Sequence, residues 1–458
     1  MNKISLLRDS AKVRWLTLLL VALTMFAAYV VTDIFSPLKT MLEQHNQWNS
    51  LEYGWFSSSY SIFNVFLGML ILGGLILDKK GVRFAGILSC ILMIVGIGIK
   101  YWAVTTPHLL ESSMNFLGNT YKMQVVWAVV GFGIFGVGAE VAGISVSKAI
   151  VKWFKGKEMA LAMGLQLSLA RLGSAGALAL SPVIAKAAGS VGAPVLIGLC
   201  LLIVGGLCFL IYCVYDKRLD KQIREESTEK ESSFSAKDVV AIITNGGFWM
   251  IALLCVLFYS AVFPFLKYAA DLMVNKFSVE PSVAGFIPSM LPFGAIVLTP
   301  LFGTIYDRVG RGADLMILGA GIITFVHLMF AAPFVTQWWI AVILMVFLGI
   351  GFAMVPAAMW PSLAKIMPEK QFGTAIALTF YVQNIGLFAI PVLIGAVLDK
   401  YCIVGTRVID GLSVNSYDYT LPMIIFVSVC GLAIIAALGL KVLNRTKGYG
   451  LQEANIKK

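Results

Sequence analysis

Charged residues are scarce in this chain of 458 residues, at 13% of the total. A soluble globular domain carries about a quarter of its residues as charged side chains, so that class is excluded. Intrinsic disorder is excluded as well, because 59% of the residues are hydrophobic. Lysine and arginine outnumber the acids by 35 to 24. In a membrane protein this excess is typical of basic residues retained on the cytoplasmic side, so nucleic-acid binding is not predicted.

Cysteine and histidine are also sparse. The seven cysteines lie mostly inside apolar runs without CxxC spacing, and there are three histidines. This pattern indicates neither a disulfide framework nor a metal site. The sequence has no phosphate-binding loop and no recognisable nucleophile, so neither an enzyme nor a bound cofactor is predicted.

Long apolar runs are abundant instead. A bilayer core of about 30 Å is crossed by a helix of about 20 apolar residues, and twelve such runs occur. They predict an N-terminal half (1–215) and a C-terminal half (247–458) of six crossings each, joined by a charged cytoplasmic linker (216–246). The predicted crossings are 14–38, 54–77, 83–105, 123–150, 158–188, 192–215, 247–274, 282–306, 312–334, 337–366, 371–399 and 420–442.

The distribution of basic residues predicts the orientation. If the N-terminus is cytoplasmic, the cytoplasmic segments hold 26 of the lysines and arginines and the outer segments hold seven. Positive charge is retained on the cytoplasmic side, so both termini are expected there. Lys39 and Lys100 are among the seven assigned to the outer side.

Two short loops repeat one pattern, G-x-x-x-D-[RK]-x-G, at the same place in each half. The glycine would permit close helix contact, and the aspartate would accept hydrogen bonds at the start of the next helix. We expect both loops to lie on the cytoplasmic side, between the second and third crossings and between the eighth and ninth. Their residues are Gly74, Asp78, Lys79 and Gly81 in the first half and Gly303, Asp307, Arg308 and Gly310 in the second.

A second repeat appears when the sequence is shifted by 213 residues. The shift places Gly136 and Gly138 on Gly349 and Gly351 without a gap. Two six-helix halves of the same orientation, together with the paired loops, resemble the major facilitator superfamily. This resemblance implies an all-α membrane protein of twelve transmembrane helices in two pseudo-symmetric halves. Substrate would bind near the bilayer midplane, between halves that rock around it, and the paired loops would gate that movement from the cytoplasmic side.

Glu140 and Arg171 lie inside the fourth and fifth crossings, where a charge is costly unless it meets a partner, a cavity or a ligand. At 1.5 Å per residue they lie roughly 16 and 21 Å from the loop that joins their helices, near the midplane. The 213-residue shift places them on Ala353 and Asn384, so only the first half carries the two charges. We favour a ligand that carries both a carboxylate and an amine. A buried structural salt bridge is the alternative.

Six further residues within crossings are candidates for substrate contact, and each has a competing structural role. Asp33 could cap a helix end, and Lys267 could extend its ammonium to the interface. Trp360 could be an ordinary packing residue, and the remaining three could bond neighbouring helices. Those three are Gln166, Tyr381 and Asn384.

Several segments resemble the family of the lysosomal dipeptide uniporter, the major facilitator superfamily domain-containing protein one family. The segments are WFKGKE (153–158), GLQLS (164–168), Ala170 with Arg171, AVFPF (261–265), WP (360–361), PE (368–369), GTA (373–375) and QN (383–384). The resemblance implies facilitated transport of dipeptides. It implies that Glu140 binds the peptide amine, that Arg171 binds the carboxylate and that Trp360 is an aromatic residue of the cavity.

The sequence also departs from related patterns. The short tails carry no clear lysosomal sorting signal, so a bacterial-type protein of the inner cell membrane is expected. The ExxER pattern of proton-coupled oligopeptide transporters is absent from the first helix. Crossings two and eight lack the arginines expected of a nitrate porter.

The predicted function is therefore an alternating-access secondary transporter of small zwitterionic solutes, with dipeptides favoured. One alternative is a transporter of organic anions, in which Arg171 binds the carboxylate and Glu140 serves proton coupling. The other is a membrane receptor or scaffold that transports nothing. The expected partners are a small-molecule substrate and the lipid bilayer, with protons as a further candidate, and a monomer is expected.

The predicted orientation can be tested with topology reporters. A reporter fused after Lys458, or inserted within 221–237, should report the cytoplasm because of the 26-to-7 distribution of basic residues. An external signal at either position would contradict the assignment.

Overall fold

The computed structural model of the chain describes residues 6–116, 118–155, 157–224, 236–409 and 411–456. Long helices account for most of these residues, with two small antiparallel β-hairpins between them. Residues 225–235, in the middle of the predicted linker, lie outside the described part.

The N-terminal half contains eight described α-helices, two short 3-10 turns and one hairpin. The 3-10 turns precede and follow the first crossing, at Leu7–Asp9 and Ser36–Leu38. The elements are α1 (Ala11–Asp33), α2 (Lys39–Asn46), α3 (Ser50–Phe66), α4 (Met69–Thr105), α5 (His108–Glu111), β1 (Ser113–Phe116), β2 (Asn119–Lys122), α6 (Met123–Trp153), α7 (Met159–Ala188) and α8 (Gly192–Arg224).

The C-terminal half repeats this plan with its hairpin before the last crossing. Its described elements are α9 (Ala236–Ile243), α10 (Gly246–Phe277), α11 (Phe286–Val309), α12 (Gly312–Ala331), α13 (Trp338–Ile366), α14 (Glu369–Tyr401), β3 (Ile403–Ile409), β4 (Leu412–Tyr417) and α15 (Thr420–Lys447).

Local chemistry explains several helix ends. Asn49 caps α3 by accepting a hydrogen bond from the Glu52 backbone N–H at 2.7 Å, and the Glu52 carboxylate accepts from the Asn49 N–H at 3.0 Å. Asn245 caps α10 in a similar way, through its side-chain oxygen. Helix α7 ends at Gly189, which takes a φ of 63° that other residues rarely adopt.

The twelve predicted crossings are present, but the second is not one continuous helix. Eleven apolar stretches of the described residues are individually long enough to span a membrane. The remaining crossing combines α3, of 17 residues, with the first turns of α4. Gly68 interrupts it with a φ of 60°, and Gly81, with a φ of 80°, separates the second crossing from the third within α4.

The predicted linker also begins later than the sequence indicated, because α8 continues to Arg224. Asp216 was expected in a solvated charge run, yet it is buried. Its carboxylate accepts hydrogen bonds from Lys152 at 2.7 Å and from Tyr212 at 3.0 Å. The charges at the end of α8 therefore help to pack the N-terminal half.

The 213-residue register holds in the structure. Helices α6 and α13 end at Trp153 and Ile366, which are 213 residues apart. A Cβ on Gly138 would lie 2.8 Å from the Ser89 carbonyl oxygen of α4, and one on Gly351 would lie 2.8 Å from the Gly319 carbonyl oxygen of α12. Equivalent helix pairs thus meet through equivalent glycines in both halves.

The two halves contact each other mainly through α3 against α14 and α7 against α11, with α10 packed on the chain that follows α1. We call the side where α1 begins and α15 ends the terminal side, and the opposite side, which carries α2 and both hairpins, the far side. Three ion pairs join the two halves in the described part of the chain, all of them at the far side. They are Asp33–Lys267, Lys39–Asp271 and Lys186–Glu280.

The ion pairs of the terminal side join residues of the same half in the described ranges. Arg14 pairs with Glu158 at 2.9 Å in the first half, and Lys441 pairs with Asp314 at 2.6 Å in the second. Charge therefore holds the halves together at the far side, and we describe this conformation as closed on that side.

The glycine contacts predict a test of helix packing. Gly351→Ala should lower the free energy of unfolding by about 1–3 kcal/mol, because the new methyl group would overlap α12. Gly321→Ala in α12 is the matched control, since no atom lies within 4 Å of its Cβ position. Thermal unfolding in detergent measures both variants, and equal melting temperatures would contradict the packing role of Gly351.

Candidate functional site

Glu140 lies on α6 and is half-buried, with one polar partner. The hydroxyl of Tyr60, on α3, donates a hydrogen bond to Glu140 Oε1 at 3.1 Å. The Tyr60 ring packs on Phe132 and Phe135, which restricts its orientation. No lysine or arginine of the described residues pairs with this carboxylate. Glu140 therefore retains acceptor capacity for a cationic group.

Arg171 lies on α7 and is also half-buried. Its guanidinium carbon lies 5.9 Å from the ring centroid of Tyr29, 5.7 Å from that of Phe263 and 5.1 Å from that of Phe352. Cation–π contacts of this kind stabilise an arginine without using its N–H donors. Within the described part of the chain, no carboxylate pairs with Arg171. The fork of donors remains available for an anion.

Glu140 and Arg171 do not form the structural salt bridge that was the alternative, because the described residues show no ion pair between them. Phe263 and Phe352 belong to the C-terminal half, so the rings beside Arg171 come from across the interface. The N-terminal half contributes the charges and the C-terminal half contributes aromatic surface.

Trp360 extends this aromatic surface on α13. It is half-buried, and its ring centroid lies 5.1 Å from that of Phe380 on α14. Tyr259 of α10 stacks on Phe263 at 5.3 Å and meets Phe352 edge-on at 6.3 Å. All five rings belong to the C-terminal half, and we call them together the aromatic wall.

The predicted amide and tyrosine candidates are Tyr381, Asn384 and Gln166, and they differ in the contacts that they make. Tyr381 donates its hydroxyl to the Val65 carbonyl oxygen at 3.0 Å, which joins α14 to α3, so this hydroxyl serves helix packing here. Asn384 is buried, donates to the Phe380 carbonyl at 3.0 Å and leaves its side-chain oxygen without a partner. Gln166 is buried on α7. Asn384 retains unused hydrogen-bonding capacity.

Asp33 and Lys267 were predicted as separate candidates. In the structure they form one ion pair between the halves. The Lys267 Nζ lies 2.8 Å from Asp33 Oδ1 and donates to the Thr32 carbonyl and to Ser36 Oγ. The Ser174 hydroxyl donates to the other Asp33 oxygen at 2.6 Å. Lys267 thus bonds across the interface instead of extending its ammonium to the membrane surface.

The ion pair lies directly beyond Arg171 towards the far side. Asp33 follows Tyr29 by four residues on α1, and Lys267 follows Phe263 by four on α10. Each helix therefore advances by about one turn, or about 5.4 Å. The Asp33–Lys267 pair therefore lies on the far-side face of the rings that surround Arg171.

Lys39 and Asp271 form a second, more deeply buried pair at the far side. Their charged atoms are 3.0 Å apart, and their side chains are only 2% and 1% exposed. Thr40 donates to Asp271 at 2.6 Å, and Tyr419 also donates to it. Lys39, assigned to an outer loop from the sequence, is therefore an interior residue of the interface.

The repeated loops do not make the contacts expected of them. No atom of a neighbouring residue lies within 4 Å of a Cβ position on Gly74 or Gly303, so neither glycine marks a close helix contact here. Among the described residues, no ion pair joins the two halves at these terminal-side loops.

The loop aspartates bond elsewhere than at the next helix. Asp78 pairs with Lys148 of α6 at 2.9 Å. Asp307 accepts a hydrogen bond from Asn455 of the C-terminal tail at 2.7 Å. The glycines Gly81 and Gly310 take φ values of 80° and 76°, and Lys79 and Arg308 are exposed. The turns are present, whereas the expected helix caps are not seen in the described residues.

Sequence reasoning missed the rings and hydroxyls that hold the two charges, namely Tyr29, Tyr60, Phe263 and Phe352. A usable signal existed for two of them. Tyr29 and Phe263 each precede a charged residue, Asp33 or Lys267, by one helical turn on the same helix face.

Comparisons with known proteins agree with this architecture. The sequence model of the Major Facilitator Superfamily matches residues 21–391 and 262–450. A relative from Homo sapiens named "Lysosomal dipeptide transporter MFSD1" is 28% identical over 453 residues, covering 96% of this chain and 88% of the relative. One of the same name from Danio rerio is 29% identical over 399 residues, covering 84% and 81%.

Solved structures share the fold at low sequence identity. The nucleoside transporter NupG superposes with a TM-score of 0.67 at 13% identity, covering 93% of this chain and 99% of that chain. A D-xylose-proton symporter gives 0.67 at 16% identity, covering 93% and 97%. These likenesses establish the fold alone.

The buried Lys39–Asp271 pair predicts that Lys39→Met strongly destabilises the protein. Removal of the ammonium leaves Asp271 buried with only hydroxyl partners, so the free energy of unfolding should fall by about 3–5 kcal/mol. The control is Lys441→Met, which breaks a partly exposed pair within one half and should cost about 1 kcal/mol or less. Thermal melting compares them. Equal losses of unfolding free energy in the two variants would show that burial does not determine how much the Lys39–Asp271 pair contributes to stability.

Proposed function

The chain belongs to the major facilitator superfamily, and we propose that this multi-pass membrane transporter carries dipeptides by alternating access. In the proposed complex, substrate lies between the halves, with its amine at Glu140 and its carboxylate at Arg171. The observation that carries the proposal is that these two charges lie on neighbouring helices without pairing with each other.

The chemistry of the two side chains suits a zwitterion. An arginine presents parallel N–H donors that match the two oxygens of a carboxylate. The Tyr60 hydroxyl occupies one Glu140 oxygen at 3.1 Å, and the other oxygen retains acceptor sites for an ammonium. Both groups are half-buried, which strengthens the pairing with charged substrate ends relative to that in water.

The aromatic wall supports substrates with varied side chains. Phe352 and Trp360 of the C-terminal half offer apolar surface opposite the two charges. Such surface accepts many side chains through dispersion and burial, without fixed hydrogen bonds. In this proposal the N-terminal half recognises the ends of a dipeptide, and the C-terminal half accommodates its side chains. Gln166 and the unpartnered oxygen of Asn384 would supply further hydrogen bonds.

The relatives support the same substrate class. Proteins named as lysosomal dipeptide transporters are 28–29% identical to this chain over most of its length. For the membrane, we propose the inner cell membrane with both termini cytoplasmic. The predicted distribution of 26 basic residues against seven supports that orientation, in which the terminal side is cytoplasmic, and burial of Lys39 and Lys100 takes two of the seven from the outer surface.

The decisive experiment varies the substrate ends and the two charges together. Binding is followed by thermal stabilisation of the purified protein. A free dipeptide should stabilise the wild type, whereas its C-terminal amide and its N-acetyl form should each bind more weakly by about 2–5 kcal/mol, because one buried charge loses its partner. Arg171→Ala should abolish the stabilisation. Glu140→Gln should weaken binding of the free dipeptide far more than that of the acetylated one.

The matched control is Arg445→Ala, which removes an exposed arginine in the last turn of α15 and should leave binding unchanged. If free and acetylated dipeptides bind the wild type equally, Glu140 does not bind the amine. The organic-anion function would then be favoured over the dipeptide one.

A further inference from the structure

Lys100 is an unusual lysine in the third crossing, on α4. Sequence counting assigned it to the outer side, yet it is 0% exposed. Its Nζ lies 3.9 Å from the ring centroid of Phe35, 4.8 Å from that of Phe56 and 4.7 Å from that of Phe132, and it has no hydrogen-bond acceptor among the described residues. We call these three rings the phenylalanine box. Rings attract an ammonium through cation–π contacts but do not replace a carboxylate.

Asp33 lies next to the phenylalanine box, because Phe35 of the box follows it by two residues. The three box rings and Lys267 line one narrow gap. Lys100 lies against all three rings, and Lys267 binds Asp33 directly. One carboxylate therefore stands near two ammonium groups, one from each half.

In this conformation Asp33 is already occupied. Lys267 binds one of its oxygens and Ser174 binds the other. Lys267 belongs to the C-terminal half and must leave Asp33 when the halves separate at the far side. Lys100 belongs to the same half as Asp33 and stays beside it.

We propose that Asp33 exchanges partners during transport, pairing with Lys267 when the far side is closed and with Lys100 when it is open. Lys100 is then a positioning residue that acts through Asp33. Separation of the halves leaves Asp33 without its ionic partner from the C-terminal half, and pairing with Lys100 of the same half compensates that loss. The inference rests on the proposed function only for the alternation of the two halves, and not on the identity of the substrate.

Hydrogen exchange of the full-length protein in nanodiscs, without substrate, tests the exchange of partners. Far-side opening is reported by peptides covering 36–47 and 412–417, and peptides covering 441–456 on the terminal side serve as the internal reference. Lys267→Met should speed far-side exchange, because the closed state then loses the ion pair that joins Asp33 to the C-terminal half. Lys100→Met should slow it by about tenfold or more, because Asp33 then has no ionic partner in the open state.

Lys267→Met and Lys100→Met are thus expected to change the far-side exchange rate in opposite directions. If both lysines had a purely structural role, both substitutions would loosen the same region and speed exchange. Lys100→Arg, which keeps the charge, should resemble the wild type. In an Asp33→Asn background, Lys100→Met should have no further effect on far-side exchange. Lys276→Met is the matched control, since the hydrogen bonds of this half-buried lysine of α10 within the described residues go to carbonyl oxygens.

Two results would overturn the proposal: faster far-side exchange in both Lys→Met variants, or an undiminished effect of Lys100→Met when Asp33 is already Asn. Lys100→Gln carries the same expectations and replaces Lys100→Met if the latter does not yield folded protein. Because no dipeptide is present, failure of the dipeptide function and failure of the partner exchange are distinguishable.

Discussion

A charge placed between two membrane-buried halves needs a partner, and this requirement governs how the halves of this protein meet. At the far side, Asp33 of the first half pairs with Lys267 of the second, and Lys39 of the first pairs with Asp271 of the second. The two pairs have opposite polarity. Each face therefore keeps one acid and one base when the halves separate, so that neither face acquires a net charge from these residues.

The same requirement distinguishes the candidate site, because its two charges lack such partners among the described residues. Arg171 and Glu140 are half-buried and are held by aromatic rings and a tyrosine hydroxyl instead of by opposite charges. Such contacts orient a charge while leaving its strongest interaction free for a ligand. The ion pair of Asp33 and Lys267, one helical turn beyond Arg171, separates this site from the far side.

The duplicated halves conserve packing but not charge. Gly138 and Gly351 make equivalent close contacts in the two halves, because helix crossing depends on backbone approach. The positions equivalent to Glu140 and Arg171 hold Ala353 and Asn384. The repeated loops also diverge in their contacts, since Asp78 binds a lysine of α6 and Asp307 binds the C-terminal tail. At the candidate site, the N-terminal half holds the two charges, and the C-terminal half supplies Phe263 and Phe352 beside Arg171.

The sequence by itself determined the membrane class, the twelve crossings, the two halves and the two central charges. Those features follow from local quantities, namely apolar length, helical rise and the cost of a charge in hydrocarbon. The break at Gly68 was missed because an isolated glycine in an apolar run also fits a continuous helix.

Only the tertiary structure decided which side chains meet. Residues more than 200 positions apart form the Asp33–Lys267 and Lys39–Asp271 pairs, and no local pattern encodes such distances. Lys100 was counted as a surface charge because its position near a helix end is typical of one. Its burial among three rings depends on how α1, α3 and α6 pack around α4, and that is a property of the assembled bundle.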